Sequence, residues 1–349
     1  MQMISSAHAL KGAPADITGE TVWLSILIPV YNVAPFIAEC LQSIAVQLVD
    51  GVEVILLDDA STDGSMAACE AFCAGGRFAL FANPENLGIG ATRNALLSRA
   101  RGDYLWFIDS DDAVEPGSIA RLRQVTAAHR PDVILCDYRW KGRRHASFDG
   151  QPDSLQHDTA ALVRGVFANR RFHLWSKVLR RSLWGADLRF PVVRCFEDVA
   201  VTPRLLLRAA SHYYVAEPWI RYRVRPNSLM GLVSRTAGKF DVEKNDSLTI
   251  ALDGYPAAIA AALPDVDDAT LLAVANFCAR EFTKISARRI SAPTAHDWRA
   301  VRKLLRRYRD RMERCSPLPF DALLAAYRSR GQIGRWMLLK FFVLLAGRR

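Results

Sequence analysis

The sequence predicts an α/β fold: a mostly parallel central sheet flanked by helices, with a helical C-terminal region. Three observations carry this. Apolar runs without polar alternation recur at 22–30, 52–58, 104–108 and 132–138, as in strands buried on both faces. Stretches of helical spacing separate them, the pattern of strand–helix–strand crossovers. Beyond about residue 235 the spacing is helical.

The first twenty residues carry one Lys and no long apolar run, and read as a loose leader rather than a signal peptide. "VWLSILIPV" (22–30) is the first strand. Pro35 suits the first turn of a helix whose Phe36, Ile37, Cys40, Leu41 and Ile44 share one face. "VEVILLDDAS" (52–61) is a second strand ending in acids, and a helix through Met66 to Phe72 follows. "RFALFA" (77–82) is the third strand, and "GIGATRNALLSRA" (88–100) is a loop running into a helix. "DYLWFID" (103–109) is the fourth strand. The stretch 116–130 opens on Pro116 and is helical, and "DVILCDY" (132–138) is the fifth strand. The polar, basic stretch 140–160 reads as a loop. Residues 173–184 are mixed, 189–210 lead into a helix, and 212–230 alternate as strands. The expected division is a leader at 1–20, a catalytic domain at 21–232 and a helical region at 233–349.

The formal charge is +10, but it is local. Residues 299–349 hold fourteen Lys or Arg against three acids, and the other 298 residues sum to −1. This excludes a nucleic-acid-binding core and points to one basic surface. Seven Cys lie at scattered positions; Cys69 and Cys73 lack the second half of a metal site. They read as buried free thiols of a reducing cytoplasm. No stretch reaches 18 uncharged apolar residues, so no spanning helix is expected. "GRWMLLKFFVLLAGRR" (334–349) has basic ends and aromatic residues. It suits either an interfacial helix on an anionic leaflet or a final helix packed on the domain.

Parallel sheets bind ligands beyond the carboxyl ends of their strands. Here those ends carry Tyr31 and Asn32, Asp58 and Asp59, and Asp109-Ser110-Asp111-Asp112. Carboxylates this dense repel unless a cation joins them, and a hard divalent ion with oxygen ligands, Mg²⁺ or Mn²⁺, does so. Asp109 and Asp111, two apart, share a side of an extended segment. Asp112 falls opposite and serves either the metal or the turn before Pro116. "DDASTDGS" (58–65) fits turn chemistry, though a carboxylate there could also accept from a base or ribose. Gly88-x-Gly90 lacks the third glycine of a dinucleotide loop and follows a loop, so an NAD oxidoreductase would rest on two glycines alone. Arg93 beside them could pair with a phosphate or with the acids. Glu197 and Asp198 are either acids of a helix N-terminus or hold a general base.

Four pieces, in order, resemble the family 2 glycosyltransferases of GT-A fold. They are "SILIPVYNVAPFIAECLQSI", "VEVILLDDASTDGS", "ENLGIGATRNALLSRARGDYLWFIDSDDAVEP" and "WSKVLRRSLW" with "RFPVVRCFEDVAV". "YRVRPNSLM" (222–230) is similar to the family's post-catalytic strand. The resemblance, over about 22–230, implies a nucleotide-sugar donor, a divalent ion and inversion at the anomeric carbon. It would set Pro29, Tyr31 and Asp59 around the nucleoside, with Asn32, Asp58 and Ser110 completing the donor rim. Arg93 would lie near the phosphates, Asp109 and Asp111 would form the D-x-D metal site, and Asp198, preceded by Glu197, would be the base. Within 22–230 no Q-x-x-R-W motif of the processive synthases occurs, and no spanning helix is expected, so one sugar is added per event. The expected donor is UDP-linked. The expected acceptor is a cell-surface glycan or lipid-linked intermediate, reached from the cytoplasm with peripheral membrane contact through 331–349. Two rivals remain. A non-catalytic nucleotide-sugar-binding scaffold would not need the acids. A sugar nucleotidyltransferase would want a Gly-rich loop where "PVYNVAP" stands.

Overall fold

A computed structural model describes residues 21–74, 76–224, 240–292 and 297–347. The expected leader, the later part of "YRVRPNSLM" and the terminal Arg348–Arg349 lie outside the described residues. The chain forms two compact units. Residues up to Asp158, with His173–Val193 and Ala209–Arg223, make the first. Thr159–Phe172, Arg194–Arg208 and the residues from Val224 onward make the second.

In the first unit, β1 (Leu24–Val30) runs parallel to β2 (Val52–Asp58) on one side and to β4 (Tyr104–Phe107) on the other. All seven β1 residues are buried, which is why its sequence shows no alternation. β3 (Phe78–Ala82) extends the parallel array beyond β2. Past β4 the sheet continues through β9 (Lys177–Arg180), β6 (Val133–Trp140), β10 (His212–Tyr222) and β5 (Ala113–Val114). β6 and β10 pair in parallel, whereas β9 lies antiparallel between β4 and β6. Strand β9 comes from the mixed stretch 173–184. Two short strands, β7 (Arg143–His145) and β8 (Leu155–Gln156), interrupt the expected loop at 140–160. The helices of this unit are α1 (Ala34–Ala45), α2 (Ser65–Cys73), α3 (Ile89–Leu97) and α4 (Ser118–His129). Helix α1 buries Ile37, Cys40, Leu41 and Ile44, as its spacing predicts, and carries a proline in its first turn.

The second unit is helical: α5 (Thr159–Asn169), α6 (Glu197–Leu207), α7 (Val242–Ala251), α8 (Tyr255–Ala262), α9 (Asp268–Ile290), α10 (Trp298–Arg314), α11 (Phe320–Ser329) and α12 (Ile333–Ala346). Its aromatic core stacks Phe167 on Tyr255 and sets Phe277 edge-on to Phe167 and Phe172. All seven cysteines are free and buried. Among the described residues no helix is long and apolar enough to cross a membrane.

Candidate active site

The register places the carboxyl ends of β1, β2 and β4 side by side, with Val30 opposite Asp58 and Leu27 opposite Phe107. The acids of β2 and β4 therefore meet at one rim because parallel strands end together.

At the end of β2 both carboxylates are buried, and they do different work. Asp59 accepts from Asn83 Nδ2 at 2.7 Å, from the Leu87 amide at 3.0 Å and from the Gly88 amide at 2.9 Å. It fixes the loop that leads into α3. Asp58 accepts from the Ser61 amide through Oδ2 at 2.9 Å, while its buried Oδ1 has no hydrogen-bond partner. An anion's oxygen left dry in this way wants a donor.

Beyond β1, Tyr31 is 45% exposed, and Asn32 takes a left-handed φ of 50°. The Asn32 amide donates to Ser61 Oγ at 3.0 Å, and its side-chain oxygen accepts from the Thr62 amide at 2.8 Å. The loop 61–65 is thereby tied to the start of α1. Asp63 strengthens the tie by accepting from the Ala34 amide at 3.0 Å and from Ser65. Partial burial works against the Asp63 charge, yet these hydrogen bonds outweigh it and hold its carboxyl below the ordinary range.

After β4 the chain leaves the sheet at once. Ile108 still donates to Leu27, but the Asp112 amide turns back to the Asp109 carbonyl at 3.0 Å. The alternation of an extended strand does not apply to this turn. Asp112 is therefore not opposite Asp109 and Asp111. The three acids each bring a carboxylate oxygen within 4.8 Å of the others. Asp112 is fully buried, and its Oδ2 has no hydrogen-bond partner. Burial first, and then the charges of Asp109 and Asp111, push its carboxyl well above the ordinary range. A set of hard oxygens with one buried and unsatisfied fits a divalent cation of the Mg²⁺ or Mn²⁺ kind.

Two arginines frame the cluster. Arg93, buried on α3, donates to Asp109 Oδ1 at 2.9 Å, and its guanidinium lies 5.8 Å from the centre of the Phe190 ring. Arg223, just past β10, has the larger role and is not among the residues the sequence singles out. Its amide donates to Asp112 Oδ1 at 2.8 Å, its Nε to the Asp111 carbonyl at 2.6 Å and its Nη2 to the Asp112 carbonyl at 3.1 Å. Glu39 pairs with its Nη1, and Phe36 lies beneath the guanidinium. The lone signal in the sequence is an arginine inside the strand-like "YRVRPNSLM". Ser110 is buried within the same turn. Pro29 is buried inside β1, paired in register with Leu57, so the nucleoside contact expected of it would run through its strand end.

The glycines of "GIG" have packing reasons. Gly88 holds a φ of 84° and gives its amide to Asp59. A Cβ on Gly90 would meet the Pro191 carbonyl at 2.6 Å. Asn94 exchanges two 2.9 Å hydrogen bonds with the Phe190 backbone, holding segment 190–191 against α3.

In the second unit, Glu197 and Asp198 open α6 after Phe196, which caps the helix with a φ of 67°. Glu197 is buried. Asp198 is partly exposed and accepts from the Val199 amide at 2.8 Å. Adjacent helical side chains diverge, and here one acid turns inward and the other outward. Both lie in the first turn of the helix.

The chain is similar to several known proteins. Residues 25–160 match the sequence profile of Glycosyl transferase family 2. EpsH of Bacillus subtilis (strain 168) is 31% identical over 226 residues, 60% of this chain and 63% of that protein. Glycosyltransferase GlyA of Streptococcus pneumoniae serotype 4 is 25% identical over 218 residues, 59% of this chain and 31% of that protein. The chain thus spans less than two thirds of the length of either relative. Among solved structures, S. aureus TarS 1-349 in complex with UDP-GlcNAc superposes with a TM-score of 0.67 at 21% identity, covering 94% of this chain and 93% of that one. Mannosyltransferase PcManGT from Pyrobaculum calidifontis, in complex with GDP-Man and Mn²⁺, gives 0.51 at 17% identity, covering 96% and 89%. These two likenesses concern the fold, a GT-A type sheet with helical additions. Residues 25–160 of this chain are thus similar to glycosyl transferase family 2.

Proposed function

We propose that this protein is an inverting, metal-dependent glycosyltransferase that moves one sugar from a nucleotide sugar to an acceptor hydroxyl. The observation that carries the reading is the cluster of Asp109, Asp111 and Asp112 at the end of β4, with a buried, unsatisfied oxygen. Bound there, Mn²⁺ or Mg²⁺ would stabilise the charge on the departing diphosphate. Asp109, Asp111 and Asp112 would hold the ion, with Ser110 in the turn that presents them. Arg93 neutralises part of the cluster and faces the phosphates. Exposed Tyr31 lies against the base, while Pro29, Asn32 and Asp59 shape the nucleoside edge. The vacant Oδ1 of Asp58 accepts from the base or ribose. Asp198 takes the proton of the acceptor hydroxyl, and Glu197 holds the start of its helix. One base and one in-line attack invert the anomeric carbon.

TarS was solved with UDP-GlcNAc, which supports a UDP-linked donor. The acceptor in this reading is a cell-surface glycan or a lipid-linked intermediate. The enzyme would meet it on the cytoplasmic face of the membrane.

Asp111→Ala should lower sugar transfer at least about a hundredfold while the thermal melt stays unchanged. Full transfer by that variant, or by wild type in excess chelator, would remove the metal from the reaction. Asp198→Asn should keep donor affinity and lose about 10²–10⁴ in turnover. Weakened donor binding with normal turnover would reassign it to the donor site.

A further inference from the structure

The final helix presents an apolar stripe that nothing in its own unit covers. Ile333, Met337, Phe341 and Leu344 recur at one helical face and are 48%, 56%, 56% and 65% exposed; Leu338, 52% exposed, widens the stripe. The other side of α12 is docked. Leu339, Phe342 and Ala346 are buried, and Arg306 Nε donates to the Ala346 carbonyl at 3.3 Å. Arg309 reaches the Gly347 carbonyl in the same way. The helix is therefore held by one face and its C-terminus, and the bare face is a fixed surface.

We propose that this face docks on an anionic lipid bilayer. Charge selects the occupant. From residue 322 to 349 the sequence has six Lys or Arg and no acid. Lys340 borders the stripe, with its Nζ 4.4 Å from the centre of the Trp336 ring, and Arg335 is exposed in the first turn of the helix. An aromatic ring beside a cation suits the level of lipid headgroups. A second copy meeting the same face would oppose like charges. The helix has 14 residues and is about 21 Å long, shorter than the roughly 30 Å of hydrocarbon in a bilayer. It lies on the surface and does not cross. This placement stands apart from the transfer chemistry, since vesicle binding is read without donor or acceptor.

The test is co-sedimentation of the full chain with phosphatidylcholine vesicles, with and without phosphatidylglycerol. Wild type should bind the anionic vesicles and leave the neutral ones about tenfold less occupied. Met337→Asp with Phe341→Asp should cut binding to anionic vesicles at least about tenfold. Arg335→Glu with Lys340→Glu should erase the preference for phosphatidylglycerol. All four positions are exposed, so unchanged melting curves should accompany both double variants. Wild type staying in solution with anionic vesicles, equal binding to neutral ones, or unchanged binding by the apolar double variant would overturn the proposal. So would a wild-type dimer in sedimentation that the apolar double variant converts to monomer.

Discussion

Asp112 is fully buried, and its carboxyl is held well above the ordinary range by burial and by two neighbouring acids. The folded chain without metal therefore binds that proton more tightly than the unfolded chain does. Stability from this group is intact below the ordinary carboxyl range and falls as pH rises from there toward the raised value. Asp112→Asn keeps an acceptor for the Arg223 amide and removes the buried charge. It should melt higher than wild type at pH 7 in chelator, with the gap closing at pH 4; a lower melting point at pH 7 would refute this. Arg223 grips the turn that presents the acids, and through it would set the affinity for a bound cation. Arg223→Lys keeps the charge but loses the fork that holds two carbonyls, so metal affinity should fall about 10- to 100-fold. Turnover should recover at saturating Mn²⁺. Loss of turnover with unchanged metal affinity would place Arg223 in the chemistry instead. Asp109 and Asp111 are legible in the sequence because three acids after so apolar a strand stand out. The part played by Asp112 is not, because the chain turns at Ile108 and the two-residue alternation ends there. Arg223 is hidden by distance, since more than a hundred residues separate it from the turn it braces.

At the scale of elements, the legible strands are those buried on both faces. β1, β2, β4 and β6 announce themselves by largely apolar runs without regular alternation. β9 does not, because it contains Lys177, which is 1% exposed and satisfies its ammonium on the His173 carbonyl at 3.0 Å and Ser176 Oγ at 3.2 Å. Hydropathy reads such a residue as surface. β10 is one strand whose pairing with β6 shifts register between Val215 and Ile220, which blurs its alternation. The contact of α3 with segment 190–191 depends on Gly90. Gly90→Ala puts a methyl group 2.6 Å from a backbone oxygen that cannot rotate away. Urea unfolding should show a loss of about 1–3 kcal/mol. An unchanged midpoint would mean that 190–191 is free to move off α3.

At the scale of the molecule, charge and chemistry are segregated along the chain. The 298 residues before Arg299 carry a net −1 and include every acid and base assigned to transfer, while 299–349 carry +11. Charge counting alone therefore separates the residues proposed for transfer from a basic region. The division of the chain into units is less readable. Thr159–Phe172 and Arg194–Arg208 pack with the C-terminal helices although they lie between strands of the sheet. Helical spacing tells what a segment is, not which layer it joins. The central claim is that the aspartate cluster binds a divalent cation and, through it, a nucleotide sugar. Thermal shift with a panel of nucleotide sugars, in Mn²⁺ or Mg²⁺ and then in excess chelator, tests it most directly, because binding to the folded chain appears as stabilisation. One UDP-sugar should raise the melting point of wild type only when metal is present, and should leave Asp111→Ala unmoved. An equal rise in chelator, or in Asp111→Ala, would contradict the account.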